Sequence, residues 1–290
     1  MTNSKEENYL TRFMSDSLKE EEEYYDIVKN NKHWYSSTIK PYMKIKAKKS
    51  NTLTPWNSKF LGTPYLPKGQ TPPQASKSTL GTRPEENLYL LAQINFEEMP
   101  KLELFPEKGI LQFWLAKNNF FGADDDNPTK QNGFRTIYYP EIQKENLITN
   151  LNLLPPPKDF CPFNEPTSEY ALAFHKQEMF VTTGDYRFDK LVNIPPEYDL
   201  GLFDIAYTET YFADDDSEYA VHQVGGYPNF AQHDPRYSKN TDKECLLLQI
   251  DSDRKNDIWW GDAGCANFFI SESNLKKKNF SEVLYHWDCS

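Results

Sequence analysis

The sequence predicts an α+β fold: strand-rich, mostly antiparallel sheets built from an internal duplication, with a helix at the N-terminus. Three observations carry this. Aromatic residues make up 15% of the 290-residue chain against a modest 38% hydrophobic content, and there are 20 prolines; large flat side chains favour strands, and prolines favour turns. The string Ala92-Gln93-Ile94-Asn95 returns as Leu248-Gln249-Ile250-Asp251, 156 residues after the first glutamine, and Gly109 heads an aromatic run as Gly264 does 155 residues later. Upstream, Gly62-Thr63-Pro64-Tyr65 is loosely echoed by Gly226-Tyr227-Pro228-Asn229. Finally, Leu10, Phe13, Met14, Leu18, Tyr25 and Val28 recur at helical spacing over residues 4–30.

The elements follow in chain order. Residues 31–50 hold six lysines and no acid, and Met43 to Lys48 alternate apolar with basic, which predicts a half-buried strand with lysines on its wet side. Residues 51–87 are rich in turn formers. Leu88 to Phe96, Gly109 to Ala116 and Phe134 to Tyr139 read as strands around a polar loop, 118–133, that contains Asp124, Asp125 and Asp126. Pro155, Pro156 and Pro157 continue neither helix nor strand, which divides the chain into an N-terminal segment 1–50 and two repeat halves, 51–154 and 155–290, packed as one globular unit. In the second half, Tyr170 to Phe180 is mixed, Ile205 to Phe212 is a segment of open type, and Asp214, Asp215 and Asp216 begin a second acidic stretch. Leu246 to Asp251 and Cys265 to Ser271 are the repeat strands, and Asn274 to Leu284 is expected to form a short terminal helix.

Charge and cysteine usage narrow the class. A net charge of −11 argues against nucleic-acid binding and suits either solubility or the steering of a basic partner. Cys161, Cys245, Cys265 and Cys289 form no compact framework and read as reduced thiols, so the expected location is cytoplasmic. No window has the length and apolarity of a membrane span.

Three constellations could carry chemistry. Gln93 and Gln249 lie inside apolar strands at matching positions, either stitching loops to the sheet or lining a shared polar pocket. His222 and His233 flank Gly225-Gly226-Tyr227-Pro228, with Asp234 beside the second, the minimum for general acid–base work. They join Trp259, Trp260 and Asp262 as candidate walls of a cleft between the halves. Asp251, Asp253, Asp257 and Asp262 are weak candidates for a hard cation, because the spacing departs from a calcium loop: Asn256 stands where glycine is needed and Asp262 where glutamate is. Turn capping by these aspartates is the expected role. There is no nucleophile elbow, zinc-protease helix or phosphate loop, and no cofactor is expected.

The strings Leu90 to Asn95, Gly109 to Trp114, Gly225 to Pro228, Leu246 to Asp253 and Trp260 to Gly264 resemble the YwqG-like family of bacterial cytoplasmic proteins, a domain of unknown function. The resemblance runs over roughly residues 50 to 290. It implies an α+β fold with a duplicated antiparallel sheet, brings no catalytic residues, and suggests a non-catalytic role as a toxin-immunity protein that recognises a basic partner. The competing expectation is a small-ligand binder or enzyme using a cleft between the halves.

Overall fold

The computed structural model describes residues 22–76, 81, 85–148, 153–212 and 221–290. Ten strands are present: β1 (Lys40–Ser50), β2 (Lys59–Leu61), β3 (Tyr89–Asn95), β4 (Ile110–Leu115), β5 (Phe134–Tyr139), β6 (Glu169–Met179), β7 (His222–Gly225), β8 (Cys245–Asp251), β9 (Cys265–Ile270) and β10 (Leu284–Asp288). They form one antiparallel, barrel-like and nearly closed sheet in the order β10-β9-β8-β7-β1-β6-β2-β3-β4-β5. Residues 22–30 are helical (α1), and three short helices follow: α2 (Phe188–Leu191), α3 (Leu200–Tyr211) and α4 (Glu272–Lys276). The part of the expected N-terminal helix before residue 22, and Asp214 to Asp216, lie outside the described residues.

The order reads the same outward from the central β1–β6 pair. On one side come β7, β8, β9 and β10; on the other come β2, β3, β4 and β5. The strand that precedes the first half, β1, pairs with β7 of the second half, and β6, the first strand of the second half, pairs with β2 of the first. Separating residues 1–154 from 155–290 therefore breaks three ladders, β1–β6, β1–β7 and β2–β6, and the apolar interior is shared. Met43, Phe60, Phe113, Phe268 and Tyr285 belong to one core, with Phe113 and Phe268 4.7 Å apart and Phe268 stacked on Tyr285 at 4.5 Å. Beside β5 and β10, which do not pair, backbone and side chains both bridge the gap, and the Tyr285 N–H donates to the Pro128 carbonyl at 3.0 Å. Gln131 Nε2 and Thr136 Oγ1 each donate to the Phe280 carbonyl at 2.7 Å.

Matching positions of the two wings share local geometry. Both β3 and β8 carry a register shift, between Leu90 and Ala92 and between Leu246 and Leu248. Gln93 lies opposite Gln112, and Gln249 opposite Asn267. Gln93 Oε1 accepts from the Tyr65 N–H at 2.8 Å while Gln112 Nε2 donates to the Tyr65 carbonyl at 2.7 Å. Gln249 Oε1 accepts from the Asn229 N–H at 2.7 Å while Asn267 Nδ2 donates to the Asn229 carbonyl at 2.9 Å. Each pair of amides thus clasps the backbone N–H and carbonyl of one residue of the loop laid over the strands, Tyr65 at the end of Gly62 to Tyr65 in one wing and Asn229 at the end of Gly226 to Asn229 in the other. The glutamines stitch loops to the sheet. They do not meet, because β7, β1, β6 and β2 stand between β8 and β3.

Gly109 and Gly264, at the heads of β4 and β9, have a common reason to be glycine. A Cβ on Gly109 would stand 2.4 Å from the Tyr139 carbonyl oxygen, and one on Gly264 1.6 Å from that of Asp288, the last residues of β5 and β10. Gly109→Ala and Gly264→Ala are each expected to cost at least about 1–3 kcal/mol by prising the outer strand from its neighbour. Urea unfolding of the two variants checks this, and a loss confined to one of them would show that the wings do not tolerate the change alike.

One expectation is corrected and one open segment is assigned. Asn274 to Leu284 is not a helix. Helix α4 is capped by Ser271 Oγ, which accepts from Asn274 N–H, and ends at Lys276. Lys278 then takes a positive φ of 55°, and the chain returns as β10 because Leu284 and Tyr285 bury opposite faces in the sheet. In the segment Ile205 to Phe212, of open type in the sequence, Ile205 to Tyr211 belong to α3 and Phe212 is its C-cap. Asp199 starts that helix by accepting from Gly201 and Leu202 N–H at 2.8 and 2.9 Å. Phe203, Ala206 and Tyr207 of α3 pack with Val28 of α1 and Tyr35 in a second core over Tyr227.

Candidate functional site

His222 stands on β7 opposite Ile45 of β1, and only 3% of it is exposed. Its Nδ1 accepts from the Asp251 N–H at 3.0 Å, which leaves Nε2 as the protonated nitrogen of the neutral ring, donating to Asp253 Oδ2 at 3.2 Å. Asp253 also accepts from the Lys255 and Asn256 N–H groups and from Asn256 Nδ2. Burial pushes its carboxyl up, but these hydrogen bonds outweigh burial and hold it well below the ordinary value. The edge of the Phe60 ring closes over the imidazole, with centroids 5.4 Å apart. This histidine–carboxylate pair has the atoms of a general base, but every lone pair and proton is spent inside the fold. It ties the turn after β8 to β7.

Asp251 is the perturbed member of the group. Burial raises its carboxyl to about 6, although the Val221 N–H and the nearby His222 pull it down. The folded state therefore holds a proton that an unfolded aspartate, near 3.8, has lost. Stability contributed by this group is present below about 3.8 and is lost as pH rises to about 6. The stability difference between wild type and Asp251→Asn is expected to shift across that interval and to level off above it. Thermal melts at pH 4, 5, 6 and 7 read it, and a constant difference would refute the assignment.

His233 is exposed, whereas Asp234 is buried and turned away into a network of four charges. Arg236 grips Asp234 with Nε and Nη2, at 2.9 and 2.7 Å, and reaches Asp185 at 3.1 Å. Arg187 grips Asp185 with both Nε and Nη2 at 2.7 Å. The guanidinium of Arg236 also lies 4.0 Å from the centre of the Phe269 ring. Two carboxylates and two guanidinium groups balance, so the buried charge is internally neutralised.

The adjacent tryptophans point apart. Trp260 is fully buried against Phe121 and Trp287, while Trp259 is 36% exposed and donates to Asp257 Oδ1 at 2.8 Å. Asp262 is exposed. The six residues expected to wall one cleft are thus not brought together. His222, Asp234 and Trp260 serve the interior, and His233, Trp259 and Asp262 face outward. The four candidate cation ligands do not converge either. Asp251 and Asp253 hold backbone and side-chain donors, and Asp257 accepts from Asn164 and Trp259; among the described residues no group of three or more His, Cys, Asp or Glu is placed to hold a metal ion.

The open hollows lie elsewhere. One of about 710 Å³ is formed by the loop after β4, lined by Asp124, Asp125, Asp126, Lys130, Phe120 and Trp287. Trp287 Nε1 donates to the Phe120 carbonyl at 2.8 Å, so β10 supplies part of a wall whose loop comes from the other half. A second hollow of about 220 Å³ adjoins Gly225 and Gly226 and includes Lys40 and Glu244. The acidic loop was visible in the sequence. Lys40 and Glu244 were not, because neither belongs to a motif and only the β1–β7–β8 pairing brings their strands together.

An antiparallel, nearly closed sheet with a sealed histidine–carboxylate pair and surface hollows defines the class of protein. A family model, described as a domain of unknown function (DUF1963), matches residues 58–289, and the chain belongs to that family. No curated protein sequence matches it. No helix among the described residues is long and apolar enough to cross a membrane.

Proposed function

We propose that the protein works by non-catalytic binding, recognising a basic protein partner in the manner of a toxin-immunity protein. The hollow of about 710 Å³ carries this reading: three consecutive aspartates stand beside Phe120, 48% exposed, and Trp287. Carboxylates attract a lysine or arginine, and aromatic faces accept its charge and its apolar stem. The overall charge of −11 speeds encounter with such a partner. The competing enzyme reading is weakened because the histidine–carboxylate pair found among the described residues, His222 with Asp253, is buried and saturated.

Immobilised full-length protein, challenged with host lysate and with a panel of basic secreted toxins, tests the proposal. A partner should be captured in a salt-sensitive way, and Asp124→Asn/Asp125→Asn/Asp126→Asn should weaken it by at least about tenfold, or ~1.4 kcal/mol. No captured partner, together with a thermal shift from a metabolite library, would sink it.

We also infer that the palindromic sheet arose by internal duplication with exchange of the first strands. The paired register shifts, the two amide clasps and the Gly109–Gly264 match support this. The string resemblance supports placement among the YwqG-like bacterial proteins. Four free thiols fit the cytoplasm.

A further inference from the structure

One side of β6 is only partly covered. β1 pairs with the strand throughout, from Ser50 opposite Glu169 to Lys40 opposite Met179. On the other side β2 reaches only Glu169 to Ala171, and the Leu172 N–H donates to the Ser58 carbonyl at 3.4 Å. That bond fixes the direction of the remaining backbone groups. Residues two apart in a strand point the same way, so the N–H and carbonyl of Phe174, Lys176 and Glu178 face away from β1. Pro41, which has no N–H to give, stands opposite Glu178, as this direction requires. Among the described residues no strand pairs with Phe174 to Glu178 on that side, and Lys176, Gln177 and Glu178 are exposed.

An open edge is a template for another strand, and its side chains select which. Lys176 Nζ donates to the Lys101 carbonyl at 3.1 Å, which uses one of the three ammonium protons. Glu178 forms no ion pair among the described residues. Between them, Gln177 Oε1 accepts from the Tyr42 hydroxyl at 2.7 Å, which leaves the Gln177 amide NH2 to donate.

We propose that this edge pairs with the same edge of a second copy of the chain, antiparallel about a twofold axis at Gln177. Lys176 then lies opposite Glu178 of the partner subunit, and Glu178 opposite Lys176 of the partner subunit. Each of these pairs exchanges both backbone hydrogen bonds and sets opposite charges side by side. The edge is thus complementary to itself, as a twofold interface must be. Centring the ladder on Lys176 instead would bring two ammonium groups face to face. Lysine on an edge ordinarily blocks strand addition; the glutamate two residues on turns that block into the choice of one register. Two short segments bury little surface, so the association is weak and depends on concentration.

Sedimentation velocity of the full chain, from micromolar to millimolar, should show a monomer–dimer equilibrium. Lys176→Glu and Glu178→Lys each put like charges opposite one another and should weaken it at least about tenfold, while Lys176→Glu/Glu178→Lys, with the charges exchanged, should recover it to within about threefold. A disulfide trap reads the register. Residues opposed at a position without hydrogen bonds have Cα atoms about 4.5 Å apart, within reach of a disulfide, so Gln177→Cys should cross-link to itself at least about tenfold faster than Lys176→Cys. A monomer throughout the range overturns the proposal and leaves the edge to a strand of another protein. A dimer undiminished by both single variants, one that the double variant fails to recover, or equal cross-linking at the two cysteines overturns it as well. If a charge variant does not fold, the cysteine comparison decides.

Discussion

Arg236→Met is expected to lower the free energy of unfolding by about 3–5 kcal/mol at neutral pH. Arg236 is fully buried, yet its guanidinium makes two bonds to Asp234, one to Asp185 and one to the Lys243 carbonyl. Methionine would refill much of the volume over Phe269 but none of the charge. Asp234 would keep only backbone donors, the N–H groups of Tyr186 and residue 236. An uncompensated buried carboxylate is the costly product, more than the loss of attraction itself. The pH dependence identifies the cause. Burial pushes the Asp185 carboxyl up, but the hydrogen bonds from Arg187 and the charge of Arg236 outweigh it and hold the group below its ordinary 3.8. The stability that Asp185 contributes is thus present above 3.8 and is lost as pH falls through its lowered folded value. With Arg236 gone, the Asp185 carboxyl gains a proton more readily, so the deficit of the variant should shrink from pH 7 to pH 5. Urea unfolding at both values reads this. A deficit below about 1 kcal/mol, or one independent of pH, would mean that the network contributes little.

Gln93→Leu should be nearly as damaging, at about 3–5 kcal/mol, and worse than Gln249→Leu. Leucine fits the buried strand position but strips four hydrogen bonds. Gln93 Oε1 accepts from the Tyr65 N–H and from Gln112 Nε2, and Gln93 Nε2 donates to the Pro55 and Asn57 carbonyls, all at 2.8 Å. Gln249 holds two groups, the Asn229 N–H at 2.7 Å and the Val221 carbonyl at 2.8 Å. Each buried group left unpaired costs about 1–3 kcal/mol, less where the loop can relax into water, so the loss at Gln249 should be roughly half. Equal losses at the two positions would show that the count of satisfied groups does not govern the effect.

Particular residues show why the sequence was legible in some places and silent in others. The strands β3, β4, β8 and β9 were plain because each is a continuous apolar run buried on both faces. β1 was plain for the opposite reason: Met43 and Ile45 alternate with lysines between core and water. β2 and β7 have only three and four residues, too few to show a period. β10 was hidden behind the helical start Ser271 to Lys276, since local signals mark where α4 begins but not where a left-handed Lys278 ends it. At the candidate site, the sequence singles out His222 and Asp234, but their exposure was not readable. Imidazole and carboxylate look the same in sequence whether they face a cleft or a buried donor.

The sequence by itself determined the strand-rich class, the echo of Gln93 in Gln249 and of Gly109 in Gly264, and the acidic loop at Asp124. All of these are local facts of residue type and spacing, set by side-chain period and by backbone freedom. Only the tertiary structure decided that β1 and β6 cross into opposite wings, that Asp253 saturates His222, and that Arg236 neutralises Asp234 and Asp185. The reason is that hydrogen-bond satisfaction and desolvation belong to pairs of groups distant in the chain, so their outcome is fixed only when the sheet brings those groups together.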